Sequence, residues 1–298
     1  MVEILLGVPI LIKILFSLGV IILINKLLSN QILGVFLGTV LLAFWAGHNL
    51  QSSSAIAWER FSQTDNIFLL IVVLFIIILS SQMKETRMMD DLVTSINRRF
   101  SRNTSMAVLP AVIGLMPMPG GAVFSAPLVN SCDPGSELTP SIKTRINYWF
   151  RHVWEYWWPL YPGVLLAIDI SGLQVSHFMA LMFPVTILSI AGAWFFLLRK
   201  TGNSAQPDQS AEEASAPAGP GFIYLVSPII MIVGIYALLS ILFPVLLSFS
   251  RYLPITMGIV SSVIYLQIIR PLPASAWKGI IFSKKAINMA ILVALIRI

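Results

Sequence analysis

Residues 116–121 read Met-Pro-Met-Pro-Gly-Gly, in the middle of the apolar stretch 110–127. Proline carries no amide hydrogen and bars a regular helix, and glycine frees the backbone. In lipid, backbone left without helical partners is tolerated only under protein cover or beside a wet cavity. Half-helix ends meeting at such a tip present bare N–H and C=O groups, which is how many transporters hold ions and small solutes. Met116, Pro117, Met118, Pro119, Gly120 and Gly121 are therefore candidate solute- or ion-binding residues. Ser125, just beyond, is a candidate side-chain ligand.

A second constellation follows. Thr139-Pro140 is a helix start, with threonine at the N-cap and proline at the first helical position. From there a helix is expected to run to Trp158. Leu138, Ile142, Ile146, Trp149, Phe150, Val153 and Trp157 form its apolar face. Asn147, Arg151 and Glu155 recur at four-residue spacing on another face, with Tyr148 and His152 alongside. The segment Trp157-Trp158-Pro159-Leu160-Tyr161-Pro162-Gly163 then breaks the helix, which resumes over 164–170. Residues 140–171 would measure roughly 48 Å as continuous helix, so this break is expected within the membrane. Charge at that depth is costly and faces a bundle interior or a wet cavity. On that reading Asn147, Arg151, His152 and Glu155, with Trp158 and Pro159 at the break, form a polar wall for a solute or coupling ion. The other reading is an interfacial aromatic belt of Trp149, Trp154, Trp157 and Trp158, with Arg151 and Glu155 as a local pair. Asp133 is expected to cap or pair in a loop, and Lys13, Asp169 and His177 to snorkel or sit at helix ends.

The elements that must position these residues are apolar. The chain has 298 residues, 57% hydrophobic and 11% charged. A soluble domain carries about a quarter charged residues, so this is a membrane chain. Its net charge of +6 lies between apolar runs, where basic residues orient helices, and does not imply nucleic acid. Cys132 is the single cysteine, which excludes an intrachain disulfide and a cysteine metal site. No zinc-binding His-Glu-x-x-His pair, Gly-x-Ser-x-Gly elbow or phosphate-binding glycine loop occurs, so no enzyme, cofactor or resident metal is expected, and transport would be driven by an ion gradient.

Runs long enough to span are 4–25, 31–47, 66–82, 177–198, 222–247 and 254–270, with a last run from Ala286 to Ile298. The N-terminus lacks a basic n-region, so 4–25 reads as a retained helix. The last run offers fewer residues than a span needs, and the chain is read as truncated there. Met88, Leu92, Ile96 and Phe100 recur every four residues within the basic stretch 83–103, which predicts an amphipathic helix in the headgroup region. Residues 199–220 are small, polar and proline-containing, a disordered cytoplasmic linker.

If 105–130 is a re-entrant hairpin, 14 of the lysines and arginines between spans fall on one side and only Arg60 and Arg251 on the other. The rich side is then cytoplasmic and the N-terminus outside, in the inner (cell) membrane. An internal repeat follows. Two helices, an Ala-Trp loop and another helix occur at the start, around Ala57-Trp58, and again around Ala276-Trp277. The two loops fall on opposite sides, as an inverted repeat requires. The expected fold is all-α and polytopic: residues 1–198 form a first repeat containing the hairpin, and 221–298 begin a second, incomplete one.

The stretches Leu-Met-Pro-Met-Pro-Gly-Gly-Ala-Val-Phe-Ser-Ala-Pro (115–127) and Asn-Tyr-Trp-Phe-Arg-His-Val-Trp-Glu-Tyr-Trp-Trp-Pro-Leu-Tyr-Pro-Gly (147–163) resemble a family of prokaryotic integral membrane proteins, the domain-of-unknown-function family numbered 401. The resemblance covers the whole chain. That family is similar to the ion transporter superfamily of gluconate, citrate, dicarboxylate and arsenite permeases. The resemblance implies two inverted repeats, each with a re-entrant hairpin and a broken helix, and a solute meeting Na⁺ or H⁺ at the hairpin tips. Members are usually longer. The Ser-Asn-Thr signature of the dicarboxylate members is absent, so their substrate does not carry over. The function expected is secondary transport of a small, anionic organic solute with Na⁺ or H⁺. The alternative is a non-transporting membrane scaffold or accessory subunit. The partners expected are the bilayer, the solute and its coupling ion, with a homodimer as a compatible assembly.

Overall fold

The structure is a computed structural model that describes residues 8–115, 121–133, 135–201 and 220–297. The Met116–Gly120 tip and nearly all of the 199–220 linker lie outside the described residues; at the linker's start, Leu198–Lys200 forms a 3₁₀ turn. Every regular element among the described residues is a helix. Five helical stretches are long and apolar enough to cross a bilayer: Ile10–Leu28, Thr64–Glu85, Val175–Phe196, Phe222–Leu242 and Ala274–Arg297. The chain is an all-helical membrane protein. It divides into two compact units, residues 1–74 with 281–298, and residues 75–280.

In the first unit, α1 (Ile10–Leu28) packs on α2 (Gln31–Trp45). Asn30 starts α2 by accepting the Leu33 N–H at 3.1 Å. The two helices approach through Gly34 and Gly38. A Cβ on Gly34 would lie 2.9 Å from the Ile21 carbonyl oxygen, and one on Gly38 would meet the Ile21 side chain at 2.4 Å. Small residues four apart are how membrane helices bring their backbones together. Buried Lys13 donates to the Trp45 carbonyl at 3.0 Å, where α2 ends. It is a helix-end cation, as the sequence reading had it, and stabilises the terminal carbonyl. The polar stretch after α2 is itself a helix, α3 (Leu50–Ser62), opened by a capping box of Asn49 and Ser52. α4 (Thr64–Glu85) follows, its first half in this unit and its second half in the other.

The second unit holds the candidate site. α5 (Met88–Arg99) is the predicted amphipathic helix. Its Met88, Met89, Leu92 and Ile96 are fully buried, and it packs on α6 (Arg102–Gly114) and on α11 (Phe222–Leu242). Protein covers that apolar face, whereas the sequence placed it in headgroups. α7 (Gly121–Ser131), α8 (Pro140–Arg151), α9 (Pro162–Ser171) and α10 (Val175–Phe196) complete the first part of the unit. After α11 come α12 (Val245–Phe249), α13 (Leu253–Ile269) and α14 (Ala274–Ile281); α15 (Lys284–Arg297) belongs to the first unit. The last spanning stretch thus begins at Ala274, well before Ala286, and is interrupted at Phe282 and Ser283.

α11 and α13 pack as α1 and α2 do. A Cβ on Gly258 would lie 2.8 Å from the Ile232 carbonyl oxygen, and Ser262, one turn on, donates to the Pro228 carbonyl at 2.7 Å. Arg270 ties the end of α13 to α5 through Asp91 at 2.7 Å and to the Thr86 carbonyl at 3.0 Å.

Candidate functional site

Two antiparallel helices, each short, carry the Met-Pro-Met-Pro-Gly-Gly segment between them. α6 measures about 20 Å and α7 about 16 Å, and both are shorter than the roughly 30 Å hydrocarbon core. Their outer ends are held together by one carboxylate. Asp133, two residues past α7, pairs with the guanidinium of Arg102, the first residue of α6. Its other oxygen takes Lys143 of α8 at 2.8 Å and the Leu138 N–H at 3.0 Å. Lys143 also donates to Asn130 at 2.9 Å, and Arg102 to Glu137 at 2.6 Å. Asp133 and Arg102 are nearly inaccessible, Lys143 is partly covered, and Glu137 is exposed. Burial alone would push the Asp133 carboxyl up. The Lys143 and Leu138 hydrogen bonds and the Arg102 charge outweigh it and hold the group below its ordinary value. The expected capping and pairing role of Asp133 is present, and it joins three helices.

The other end of α6 meets the break after α8. α8 starts at Thr139-Pro140 as predicted, with Thr139 Oγ1 accepting the Ile142 N–H. It stops at Arg151, not Trp158, and residues 152–161 are turns. Two causes act together. Pro159 cannot donate to the Glu155 carbonyl and would clash with it in a helix. The turns also let Trp154, Trp158 and Tyr161 reach carbonyls of the last turn of α6 and its C-cap. Trp154 Nε1 donates to the Ala111 carbonyl at 2.7 Å and Trp158 Nε1 to that of Leu115 at 2.9 Å. The Tyr161 hydroxyl donates to the Gly114 carbonyl. A Cβ on Gly114 would lie 2.4 Å from the Arg151 carbonyl oxygen, so glycine is what lets α6 touch the end of α8.

The predicted site residues separate accordingly. Of the tip, only Gly121 is described, as the first residue of α7. Ser125 and Asn147 are buried against each other, Ser125 Oγ donating to Asn147 Oδ1 at 2.6 Å. Arg151 is buried at the end of α8, one turn from Asn147. Trp158 and Pro159 lie buried in the break, beside α6. His152 and Glu155 do not join this group. His152 Nδ1 sits on the Tyr148 carbonyl, and Nε2 faces Glu155 at 3.7 Å on the exposed side. The expected Asn147–Arg151–Glu155 stripe therefore ends at Arg151, because helical spacing stops there.

Sequence reading missed Gly114 and Tyr161 as contact residues and treated Trp154 only as a belt residue. Their signal was available: bulky donors clustered beside prolines imply carbonyls to be satisfied elsewhere. The thiol of Cys132, at the hairpin's outer end, is pushed up to about 11, mainly by burial.

A cavity of about 510 Å³ lies along α6, between it, α8 and α10, and shares Ala111 and Trp154 with the contacts just described. Ser125, Asn147 and Arg151 do not line it.

A family model described as a protein of unknown function (DUF401) matches residues 9–257, well over half of the chain, and the chain belongs to that family. No curated protein and no solved structure matches it.

Proposed function

We propose that this member of the DUF401 family is a secondary active transporter that couples a small anionic organic solute to Na⁺ or H⁺. The observation that carries the reading is the meeting of the C-terminal end of α6 with the 152–161 break, through Trp154, Trp158 and Tyr161 beside buried Arg151. Crossing backbone breaks are useful in a bilayer where they line a cavity. The solute's negative charge would lie by Arg151, with Ser125 and Asn147 as polar company. His152 and Glu155 serve the exposed flank.

The hairpin α6–α7 is read as re-entrant, because each arm is too short to span and Asp133 holds both outer ends at one level. The excess of basic residues makes that level cytoplasmic and the N-terminus external, in the cell membrane. The packing of Gly34 on Ile21 and of Gly258 on Ile232 supports an inverted repeat like that of the ion transporter superfamily. Each pair is followed by a tryptophan-bearing helix, α3 with Trp58 and α14 with Trp277.

Uptake by the purified protein in proteoliposomes, under imposed Na⁺ or H⁺ gradients and across a panel of small carboxylates, tests this. Gradient-dependent accumulation that falls at least tenfold in Arg151→Gln is expected. No flux for any anion under either gradient would overturn the reading in favour of a scaffold or accessory subunit.

A further inference from the structure

The 510 Å³ cavity is amphiphilic along its length. α8 rises from Lys143 at the Asp133 end to Arg151 at the break. α10 runs antiparallel to it. Trp149 Nε1 donates to Ser189 at 3.0 Å, and Thr186 Oγ1 donates to the Val153 carbonyl at 2.5 Å. Continuing along α10 from Thr186 through Ser189 therefore leads back toward the charged end of the hairpin, where Arg199 follows Leu198. That end of the cavity is lined by Ser101, Asn103 and Thr104 of the α6 start, with Arg199 opposite. The far end is lined by Val108, Ala111, Val153, Trp154 and Ile190.

The volume falls within the roughly 300–1,000 Å³ of ordinary ligand sites. Its walls are apolar over most of their length, and Ile190 and Trp194 on the α10 side are well exposed. α10 is among the helices able to cross the bilayer, and only a small share of it is covered by protein. The groove therefore opens where lipid stands. Arg199, exposed and stacked over Phe195 at 5.5 Å, places one cation at the polar end.

We infer that this groove is a binding site for one anionic phospholipid, its acyl chain between α6 and α10 and its phosphate at Arg199 with the Ser101 and Thr104 hydroxyls. Charge complementarity selects the headgroup, since each basic side chain near a membrane surface adds about 1 kcal/mol toward anionic lipid. The inference is independent of whether the protein transports.

Native mass spectrometry of the detergent-purified protein tests it, after equilibration with equal amounts of phosphatidylglycerol and phosphatidylcholine of identical acyl chains. One retained phosphatidylglycerol is expected, favoured about fivefold over phosphatidylcholine. Arg199→Gln should keep a bound lipid but bring the preference to about one. Val108→Trp should fill the groove and lose the lipid; Ile190→Trp, a change on the exposed opposite wall, repeats that test should Val108→Trp fail to fold. Inorganic phosphate at millimolar concentration should not displace the lipid. Equal retention of both lipids by the unaltered protein would overturn the inference. So would full retention by the folded groove-filling variants, or displacement by phosphate alone.

Discussion

Replacing Asp133 by alanine should open the outer end of the α6–α7 hairpin. The carboxylate is almost inaccessible and holds the Arg102 guanidinium, the Lys143 ammonium at 2.8 Å and the Leu138 N–H at 3.0 Å. Removing one partner of a buried pair costs about 3–5 kcal/mol, because the other charge stays buried. Here the lower end applies. Arg102 keeps Glu137 at 2.6 Å, and Lys143 keeps Asn130 at 2.9 Å. A local loss of about 3 kcal/mol raises the open population roughly a hundredfold. Cys132 reads that population directly, since it is the chain's single cysteine, adjoins Asp133 and is buried. Its thiol, pushed up to about 11, labels slowly in the closed state. Maleimide labelling of the purified protein should therefore quicken by about two orders of magnitude in Asp133→Ala. Glu137→Gln, which alters the exposed partner, should stay within about fivefold. The double variant Asp133→Leu/Arg102→Met should recover most of the protection, because it leaves no buried guanidinium behind. Labelling of Asp133→Ala within threefold of the unaltered rate would refute the clamp.

The same carboxylate sets an acid limit. Its value is depressed on folding, so its contribution is fully present above the ordinary carboxyl value near 4 and is lost as pH falls below it. Amide exchange over residues 135–139 should thus be flat from pH 8 to 5 after correction for intrinsic rates, and accelerate only in stronger acid. Gly114→Ala places a Cβ 2.4 Å from the Arg151 carbonyl oxygen; a loss of about 1–3 kcal/mol is expected, seen as a lower thermal midpoint in detergent. Gly34→Val and Gly258→Val each drive a side chain into an isoleucine carbonyl, at 2.9 and 2.8 Å for the first carbon alone. Both should lower the midpoint, whereas Gly234→Ala, with nothing near its Cβ, should not.

Local chemistry was readable from the chain itself. Apolar runs of spanning length placed Thr64–Glu85, Val175–Phe196 and Phe222–Leu242 to within a few residues, because burial in lipid depends on composition and length rather than on partners. The last stretch, in contrast, starts at Ala274 rather than Ala286, and the runs 31–47 and 254–270 form the shorter helices Gln31–Trp45 and Leu253–Ile269. The Thr139-Pro140 start and the proline interruption near Trp158 were equally legible, since caps and missing amide donors act within one turn. The four-residue spacing of Met88, Leu92 and Ile96 announced an amphipathic helix, but periodicity cannot say whether lipid or protein covers an apolar face. Tertiary packing decided that, laying α5 against α11. It also stopped α8 at Arg151 and left Glu155 with His152, while the turns of 152–161 bring three aromatic donors onto carbonyls at the end of α6. Asp133 shows the division most plainly. Its loop position was visible in sequence, but its grip on Arg102 and Lys143 depends on charges brought together from α6 and α8, and folding alone places them within reach of one carboxylate.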